Sequence, residues 1–416
     1  MLDIKFVREN LEQVKEMLKK RHLEVDVEDV LALDAKRISL LQKIEGLRAE
    51  RNKVSKKPTS KNKKKGKEIK DELKILEPQL KTVEQDLHTA LWDLPNMVHP
   101  EAPIGKDESE NVVIRQWGEP TRFDFEPLDH LEIGKKLDLL DFEAGAKVSG
   151  SQFYYLKGDA VLLSLSLMRF ALDYLDSKGF KPIKTPELVR LKVLDGTGYN
   201  PRGPESQLYK IEGKDLGLIA TSEISIAGYL MNEVVNKKDL PLKFAGFSHC
   251  FRTEAGGYGK YSKGLYRTHE FSKAEMFVFC LPSQSEEMHQ LLLETEEEIY
   301  RQLELPYRVV EMCSGDLGAA AYRKFDLEVW MPSRDDWGET TSTSNCTEYQ
   351  ARRINIKYRK KDGKVGYLYT LNGTAIADSR TIIAILENFQ QKDGSVVIPK
   401  VLRKYMGIKS ICEKRN

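Results

Sequence analysis

The sequence has no long hydrophobic run. None of its apolar stretches approaches the ~18 residues that a membrane-spanning helix needs. The first residues, MLDIKFVREN, have neither the basic start nor the apolar segment of a secretory signal peptide. We therefore expect a cytoplasmic protein with no membrane partner.

Cysteine and histidine are few and scattered. The five cysteines never stand in a CxxC pair, and the seven histidines show neither HExxH nor HxxxH spacing. Disulfide frameworks and zinc ribbons need cysteines that are paired at suitable spacings. We therefore expect reduced thiols and no zinc site.

Two common nucleotide-binding signatures are also missing, and there is little excess charge. The sequence contains no GxxxxGK[ST] loop and no GxGxxG after a strand. Because 66 Lys and Arg oppose 64 Asp and Glu, the net charge is only +2. Binding to a nucleic acid would have to come from a local basic patch.

What the chain does contain begins with a helical domain, which we assign to residues 1–105. The pattern of residues 1–25 predicts an amphipathic helix that Asp3 can cap. Two heptad segments follow, separated by the lysine-rich run SKKPTSKNKKKGK. They predict an antiparallel coiled-coil hairpin about 40 Å long, in which this run is the loop and Pro78 kinks the second helix. The heptad positions are Leu33, Leu40, Leu47 and Val54, then Ile69, Leu73, Leu76, Leu80, Val83, Leu87, Ala90 and Leu94.

The lysine-rich run would concentrate positive charge at the tip of this hairpin. Its lysines are Lys56, Lys57, Lys61, Lys63, Lys64, Lys65 and Lys67, which we call the lysine tip. Cations gathered in this way favour contact with a polyanion. Two alternatives stay open at this point, a coiled coil that dimerises or joins a bundle and a nuclear-localisation signal.

A second domain, residues 106–416, begins within a segment rich in proline and glycine between residues 97 and 120. This segment is typical of a linker. Beyond it, helix and strand patterns alternate without βαβ regularity. The sequence therefore predicts an α+β domain, in which helices flank an antiparallel sheet.

Residues 247–277 concentrate charged and aromatic side chains. They contain an apolar run ending in FRTE, a glycine-rich basic turn, and a second alternating run from Tyr266 to Phe277 that carries RTHEF. This pattern predicts an antiparallel hairpin that offers cations for phosphate groups and an aromatic face for a base. Since residues two apart share a strand face, we expect Arg252 to point with Glu254, and Arg267 with His269 and Phe271.

This hairpin resembles motif 2 of the class II aminoacyl-tRNA synthetases, and in particular of the seryl-tRNA synthetases. Four further stretches follow the family's order. Residues 157–190 are similar to motif 1, TSE at 221–223 to a serine-pocket TxE, GETTSTSNC at 338–346 to a serine-rich loop, and LNGTAIADSRTIIAILENFQ at 371–390 to motif 3. With the helical hairpin, the resemblance covers almost the whole chain. The sequence departs from the family's usual pattern at Thr340, Thr341, Thr343, Thr374 and Ser379.

The resemblance implies roles for individual residues. The implied ATP-binding residues are Arg252, Thr253, Glu254, Arg267, Phe271, Glu339, Thr340, Thr341, Ser342 and Arg380, and Arg252, Glu339 and Arg380 are implied as catalytic. The implied serine-binding residues are Thr221, Ser222, Glu223, Arg252, Glu275, Asn372 and Thr374. Glu339 and Ser342 are implied ligands of Mg²⁺ bound with ATP, and the lysine tip is an implied tRNA contact.

The implied activity is formation of seryl-adenylate from L-serine and ATP, followed by transfer to tRNA(Ser) in a homodimeric enzyme. Whether tRNA(Sec) is also charged stays open. Two alternatives belong to other classes. An enzyme that loads a small amino acid onto a carrier protein would lack the long arm, and a non-catalytic RNA-binding or regulatory relative would have lost the motif arginines.

Overall fold

The structure is a computed structural model that describes residues 1–56, 59–199, 208–254, 263–360 and 362–413. The chain divides into two compact units, Met1–Met97 and Val98–Asn416. This boundary lies before residue 98, not after residue 105, because the intervening residues bond to the second unit. The amide of His99 donates to the carbonyl of Tyr322 at 2.9 Å, and that of Ser314 to the carbonyl of Pro103 at 2.8 Å. None of the helices in the described residues has the length and apolar character needed to cross a membrane.

The first unit is helical throughout. Its helices are α1 (Ile4–Glu9), α2 (Leu11–Lys20), α3 (Val27–Ser55) and α4 (Ser60–Asp93). Asp3 caps α1 as predicted, by accepting from the amide of Lys5 at 2.8 Å. The single helix expected over residues 1–25 was wrong, because Asn10 leaves helical geometry and its side chain donates to the carbonyl of Phe6 at 3.0 Å.

Helices α3 and α4 form the expected antiparallel coiled-coil pair. Lys43 pairs with Glu72 at 3.0 Å, and Glu50 pairs with Lys65. Residue numbers therefore increase along α3 where they decrease along α4, as in an antiparallel pair. The apolar seam of this pair contains Ile44, Ile69, Leu73 and Leu76. The helices have 29 and 34 residues, so they extend ~44 to ~51 Å, further than expected.

The lysine-rich run is mostly helix, not loop. Thr59 caps α4 by accepting from the amide of Asn62 at 3.2 Å, so the lysines from Lys61 onward lie in its first turns. Helix α4 continues through Pro78. The kink expected there stays a prediction.

The second unit combines helices with a large sheet. Its helices are α5 (His130–Lys136), α6 (Phe142–Ser149), α7 (Asp159–Ser177), α8 (Leu191–Thr197), α9 (Ser222–Tyr229), α10 (Ser285–Gln302), α11 (Tyr349–Arg353), α12 (Asp378–Asn388) and α13 (Arg403–Met406). Its strands are β1 (Val112–Trp117), β2 (Leu140–Asp141), β3 (Tyr155–Leu156), β4 (Lys181–Lys184), β5 (Leu188–Arg190), β6 (Leu216–Leu218), β7 (Val234–Asn236), β8 (Leu242–Phe251), β9 (Glu270–Cys280), β10 (Tyr307–Glu311), β11 (Arg323–Met331), β12 (Asp336–Asn345), β13 (Lys357–Arg359), β14 (Val365–Tyr367), β15 (Tyr369–Ala377), β16 (Val396–Val397) and β17 (Ser410–Ile411).

Eight strands form the main sheet in the order β1-β10-β11-β12-β15-β9-β8-β4. Its pairs are antiparallel except β4 with β8. Helices α7, α10 and α12 pack against the sheet around one large apolar core. The predicted α+β class is therefore confirmed.

Several local predictions were wrong. The supposed linker contains β1, at the edge of the sheet, and the supposed serine-rich loop at 338–346 is most of β12. Threonine is frequent in strands, because its branched side chain suits a pleated surface. The second strand of the motif 2 hairpin begins at Glu270 rather than Tyr266.

Candidate active site

One cleft forms where β9, β12 and β15 lie side by side and where α12 begins. Phe271, Lys273 and Glu275 alternate along β9 and so point to the same face. The residues that line the cleft are Arg252, Glu254, Tyr266, Thr268, Phe271, Lys273, Glu339, Thr340, Thr341, Ser342, Thr374, Ala377, Ser379 and Arg380.

Paired ions occupy one part of this region, and we call Arg252, Glu254, Arg267, Glu339 and Arg380 the arginine cluster. Arg267 binds the carboxylate of Glu254 at 2.7 Å. Both residues lie outside the strands, and Glu254 has a φ of 50° in the left-handed region. Strand alternation therefore does not orient them, contrary to our expectation. Instead, the segment is tied together by the amide of Arg252, which donates to the carbonyl of His269 at 2.9 Å.

Arg380 lies in the first turn of α12 and reaches back to β12. Its guanidinium binds the carboxylate of Glu339 at 3.2 Å and the carbonyl oxygen of the same residue at 2.9 Å. Burial acts to raise the pKa of Glu339, but the charges of Arg380, Lys324 and Arg252 outweigh it and lower this pKa to about 2. Glu339 is therefore an anion across the neutral pH range.

A bulge in β12 gives Glu339 and Ser342 a common direction. Residues three apart normally face opposite sides of a strand. Here Glu339 opposes Glu328 and Ser342 opposes Asp326, and those two partners are only two residues apart on β11. The extra residue is Thr340, and it brings a carboxylate and a hydroxyl to the same face of the sheet.

The other part of the region is a buried-glutamate cluster, comprising Thr221, Glu223, Lys273, Glu275, Asn372 and Thr374. The carboxylate of Glu223 is 3% exposed. It accepts hydrogen bonds from Tyr199 at 2.7 Å, from Gln350 at 2.7 Å and from Asn372 at 3.1 Å. Burial raises the pKa of Glu223. Three donors hold this carboxylate in one orientation.

Lys273 joins the remaining members of this cluster. Its ammonium group forms an ion pair with Glu275 and donates to the hydroxyl of Thr221 at 3.2 Å. The hydroxyl of Thr374 donates to Oε2 of Glu275 at 3.5 Å, and this is the same oxygen that Lys273 contacts. Burial raises the pKa of Glu275 to about 7, although Lys273 opposes this shift. The carboxyl group of Glu275 is thus close to changing charge at neutral pH.

Comparisons with known proteins identify the family of this chain. Residues 1–98 match the Seryl-tRNA synthetase N-terminal domain, and residues 208–389 match the tRNA synthetase class II core domain (G, H, P, S and T). The "Serine--tRNA ligase" of Dictyoglomus thermophilum is 54% identical over 426 residues, with 100% of each chain covered. The chain belongs to the seryl-tRNA synthetase family.

Two solved structures of this family show the same fold. One is seryl-tRNA synthetase from Pyrococcus horikoshii complexed with ATP, with a TM-score of 0.94, 43% identity and full coverage of both chains. The other is the cytoplasmic enzyme of Naegleria fowleri in complex with AMP, with a TM-score of 0.89, 35% identity and coverage of 100% of this chain and 99% of that chain. Membership in the family makes the chain a class II serine–tRNA ligase.

The threonines that depart from the family's pattern use their hydroxyl groups inside the protein. Thr340 donates to the carbonyl of Leu327 at 3.0 Å, Thr341 to Glu296 at 3.1 Å, and Thr343 to the carbonyl of Asn372 at 2.9 Å. Thr340 and Thr341 still border the cleft. Their hydroxyls support the floor of the site instead of projecting into it.

Two further residues of the family-based assignment lie beside the cleft rather than along it. Ser222 is fully buried at the start of α9. Gly246 lies opposite Glu275 in the hairpin. A Cβ atom at Gly246 would lie only 2.6 Å from the hydroxyl oxygen of Ser222, so Ser222 packs closely against this strand. Thr253 is half-buried between Arg252 and Glu254.

The sequence assignment missed Lys273, Tyr266, Tyr199 and Gln350. Lys273 could have been found, because it lies two residues from both Phe271 and Glu275 and must share their strand face. The ring of Tyr266 borders the cleft under the guanidinium of Arg380, at 4.7 Å. Tyr199 and Gln350 reach Glu223 from other elements, and no local pattern in the sequence signals that contact.

The lysine tip is exposed in the described residues. Lys56, Lys61, Lys63, Lys64, Lys65 and Lys67 are all solvent-exposed, and Lys65 pairs with Glu50 across the helices. Lys57 lies outside the described residues, as does much of the glycine-rich basic turn of motif 2.

Proposed function

We propose that the chain activates L-serine with ATP and Mg²⁺ and transfers the seryl group to the terminal ribose of tRNA(Ser) in the cytoplasm. The observation that carries this proposal is the continuity of the two clusters. Phe271 and Lys273 line the cleft, and Glu275 follows them on the same strand face, so a buried carboxylate lies directly beyond an aromatic ring and a cation. An amino acid and a nucleotide bound there would meet end to end.

In the first step, a carboxylate oxygen of serine attacks the α-phosphorus of ATP, and the bond from that phosphorus to the bridging oxygen of pyrophosphate breaks. We assign Arg252 to the α-phosphate and Arg267 and Arg380 to the outer phosphates, since guanidinium groups bind phosphate bidentately. The adenine would stack on Phe271, with Glu254 at its amino edge. Positioning and charge neutralisation are sufficient for such a displacement.

Glu339 and Ser342 fit Mg²⁺ delivered with ATP. No group of three or more His, Cys, Asp or Glu side chains in the described residues could hold a metal by itself. Magnesium commonly takes only one or two carboxylates and completes its shell with water and phosphate oxygens. The anionic Glu339 and the hydroxyl of Ser342, aligned by the bulge, suit this mode. When bound, Mg²⁺ would neutralise phosphate charge.

We assign selection of serine to the buried-glutamate cluster. Glu275 would accept a hydrogen bond from the serine hydroxyl, with Thr374 beside it. A site that is built around a substrate hydroxyl rejects an analogue without it, because its buried polar group is left unpaired. Alanine and glycine would fail for this reason, and threonine through its extra methyl group.

The second step needs tRNA, and we assign its binding to the lysine tip. Lysine contacts with phosphate release counterions and give a steep dependence on salt. Changing Lys61, Lys63 and Lys64 to Glu should therefore abolish tRNA charging and spare adenylate formation. The matched control changes Lys70, Lys74 and Lys81 to Glu, which are exposed on the same helix α4 away from the tip. Equal loss of charging in both variants would contradict the assignment, and the same assay with tRNA(Sec) decides whether that tRNA is a substrate.

We also propose that the chain acts as a homodimer through α7. Val161, Leu162 and Leu165 on this helix are 39%, 46% and 59% exposed. Neighbouring apolar side chains left open in this way mark an interaction surface. Sedimentation of the protein as a monomer under assay conditions would contradict this assignment.

The experiment that tests the proposed function is amino-acid-dependent exchange of pyrophosphate into ATP. Serine, threonine, alanine and glycine should be compared at equal concentration with the full chain and Mg²⁺. We expect exchange with serine, weak exchange with threonine and background with the other two. Background exchange with serine would overturn the proposal.

A further inference from the structure

We propose that His130 is a positioning residue for the arginine cluster. Its ring links the turn Gly264–Tyr266, which precedes the second strand of motif 2, to helix α12. Helix α12 carries Arg380. The inference rests on the proposed function, because its consequence is the geometry of the groups assigned to the phosphates of ATP.

The hydrogen bonds of His130 define the tautomer of its ring. His130 is 4% exposed, at the first position of α5. The backbone N–H of Leu265 donates to Nε2 of the ring at 3.3 Å, so Nε2 carries no proton. The proton of the neutral ring is therefore on Nδ1, which donates to Oε1 of Glu387 at 3.0 Å. The imidazole thus connects a backbone amide to a carboxylate through its two nitrogens.

Glu387 holds the other end of this connection. It is fully buried in the last turn of α12. The Oε1 atom of Glu387 also accepts from the backbone amide of His130 at 3.1 Å, and Oε2 accepts from the amide of Ser333 at 3.2 Å. One carboxylate therefore joins α5, the turn after β11 and α12.

The turn after β11 and helix α12, which Glu387 joins, each place an arginine against the ring of Tyr266. The guanidinium of Arg334, next to Ser333, lies 4.2 Å from the centre of the Tyr266 ring, and that of Arg380 lies 4.7 Å from it. Nε of Arg380 also donates to the carbonyl oxygen of Tyr266 at 3.4 Å. A shift of the turn would therefore move the ring and the carbonyl against which Arg380 is placed.

The turn is shaped to fit the imidazole. Gly264 has a φ of +66°, which side chains rarely adopt, and a Cβ there would lie 2.2 Å from Nε2 of His130. The next residue, Leu265, is fully buried in the main core. Backbone conformation, close approach and burial therefore all keep this turn against the ring.

Two substitutions of His130 separate its two hydrogen bonds. An asparagine amide can donate near the position of Nδ1 but offers no acceptor near Nε2, whereas a glutamine carbonyl can reach the Leu265 amide. We expect His130→Asn to raise the KM for ATP in serine-dependent pyrophosphate exchange about five- to tenfold, the effect of one hydrogen bond, and to leave the KM for serine unchanged. His130→Gln loses the ring's donation to Glu387 but keeps that of the backbone amide at 3.1 Å, so it should be less impaired than His130→Asn. Lys135→Ala, an exposed change on α5, is the matched control.

Gly264→Ala provides a second route to the same result, because its methyl group would displace the ring. We expect Gly264→Ala to raise the KM for ATP and to leave the KM for serine unchanged. In the double variant with His130→Asn, the two effects on the KM for ATP should not add fully, because both substitutions break the same contact between Leu265 and His130. An equal rise in both KM values, or a lower melting temperature with an unchanged KM for ATP, would overturn the proposal. If His130→Asn does not fold, an unchanged KM for ATP in Gly264→Ala overturns it alone. Failure of the proposed function would instead appear in the wild-type protein, as absence of exchange with serine.

Discussion

The two clusters of the cleft hold their charged groups in different ways. In the buried-glutamate cluster, Glu223 and Glu275 are 3% and 1% exposed; Glu223 accepts from three neutral donors, and Glu275 pairs with Lys273, which is buried as well. In the arginine cluster, each carboxylate pairs with a cation, as Glu254 does with Arg267 and Glu339 with Arg380. On the proposed assignment, the first arrangement would bind an amino acid without exchanging these partners. On the same assignment, the second would have to exchange partners before the arginines could bind phosphate.

This difference has a physical reason. A small amino acid is distinguished by single hydrogen bonds, and these need fixed and desolvated partners. The phosphates of ATP carry several negative charges, and several arginines are needed to bind them. When no nucleotide is bound, those arginines would lack a partner unless carboxylates of the protein paired with them. Pairing with Glu254 and Glu339 would stabilise those arginines until the phosphates bind. We therefore expect mutations in the two clusters to differ in kind.

The largest effect is expected for Arg252→Lys, which tests the arginine cluster. The guanidinium of Arg252 lies 5.2 Å from the centre of the Phe271 ring, and a lysine cannot reproduce its planar fork. We expect kcat/KM for ATP to fall by about 10²–10³, as when one aligned donor is lost from a transition state. Arg359→Lys, an exposed change on β13, is the control for pyrophosphate exchange. Near-normal exchange in Arg252→Lys would make this arginine structural.

A smaller effect is expected for Glu275→Gln, which tests the buried-glutamate cluster. The substitution keeps the shape of the side chain but removes the acceptor charge next to Lys273. We expect the preference for serine over alanine to fall at least about tenfold, and the KM for ATP to stay near its wild-type value. Glu270→Gln, an exposed change on the same strand β9, is the matched control. If Glu275→Gln kept the full preference, another residue would have to read the hydroxyl.

The smallest effect is expected in the dependence on pH. The pKa of Glu275 is raised to about 7 in the protein. Below this pH the carboxyl gains a proton and accepts the serine hydroxyl less well, so kcat/KM for serine should decline as the pH falls through 7. This parameter reports groups of the free enzyme. The decline should be weaker in Glu275→Gln, and an identical pH profile in both proteins would show that another group titrates.

The sequence predicted the arm and the α+β sheet because both depend on repeated patterns. The heptad positions from Ile69 to Leu87 became the buried seam of α4, as expected. Non-local effects account for what was missed. Nothing near Thr340 signals the bulge that aligns Glu339 with Ser342, because the bulge is defined by pairing with β11. Likewise, the contact between Tyr199 and Glu223 depends on the packing of distant elements.

The most direct test of the contrast between the two clusters is a crystal structure with a non-reactive ATP analogue, Mg²⁺ and serine. We predict that Glu254 separates from Arg267 and Glu339 from Arg380, so that both pairs exceed hydrogen-bond distance. The contacts of Lys273 with Glu275 and of Tyr199 with Glu223 should persist. A complex in which both arginine pairs remain intact while the buried-glutamate cluster rearranges would contradict this account.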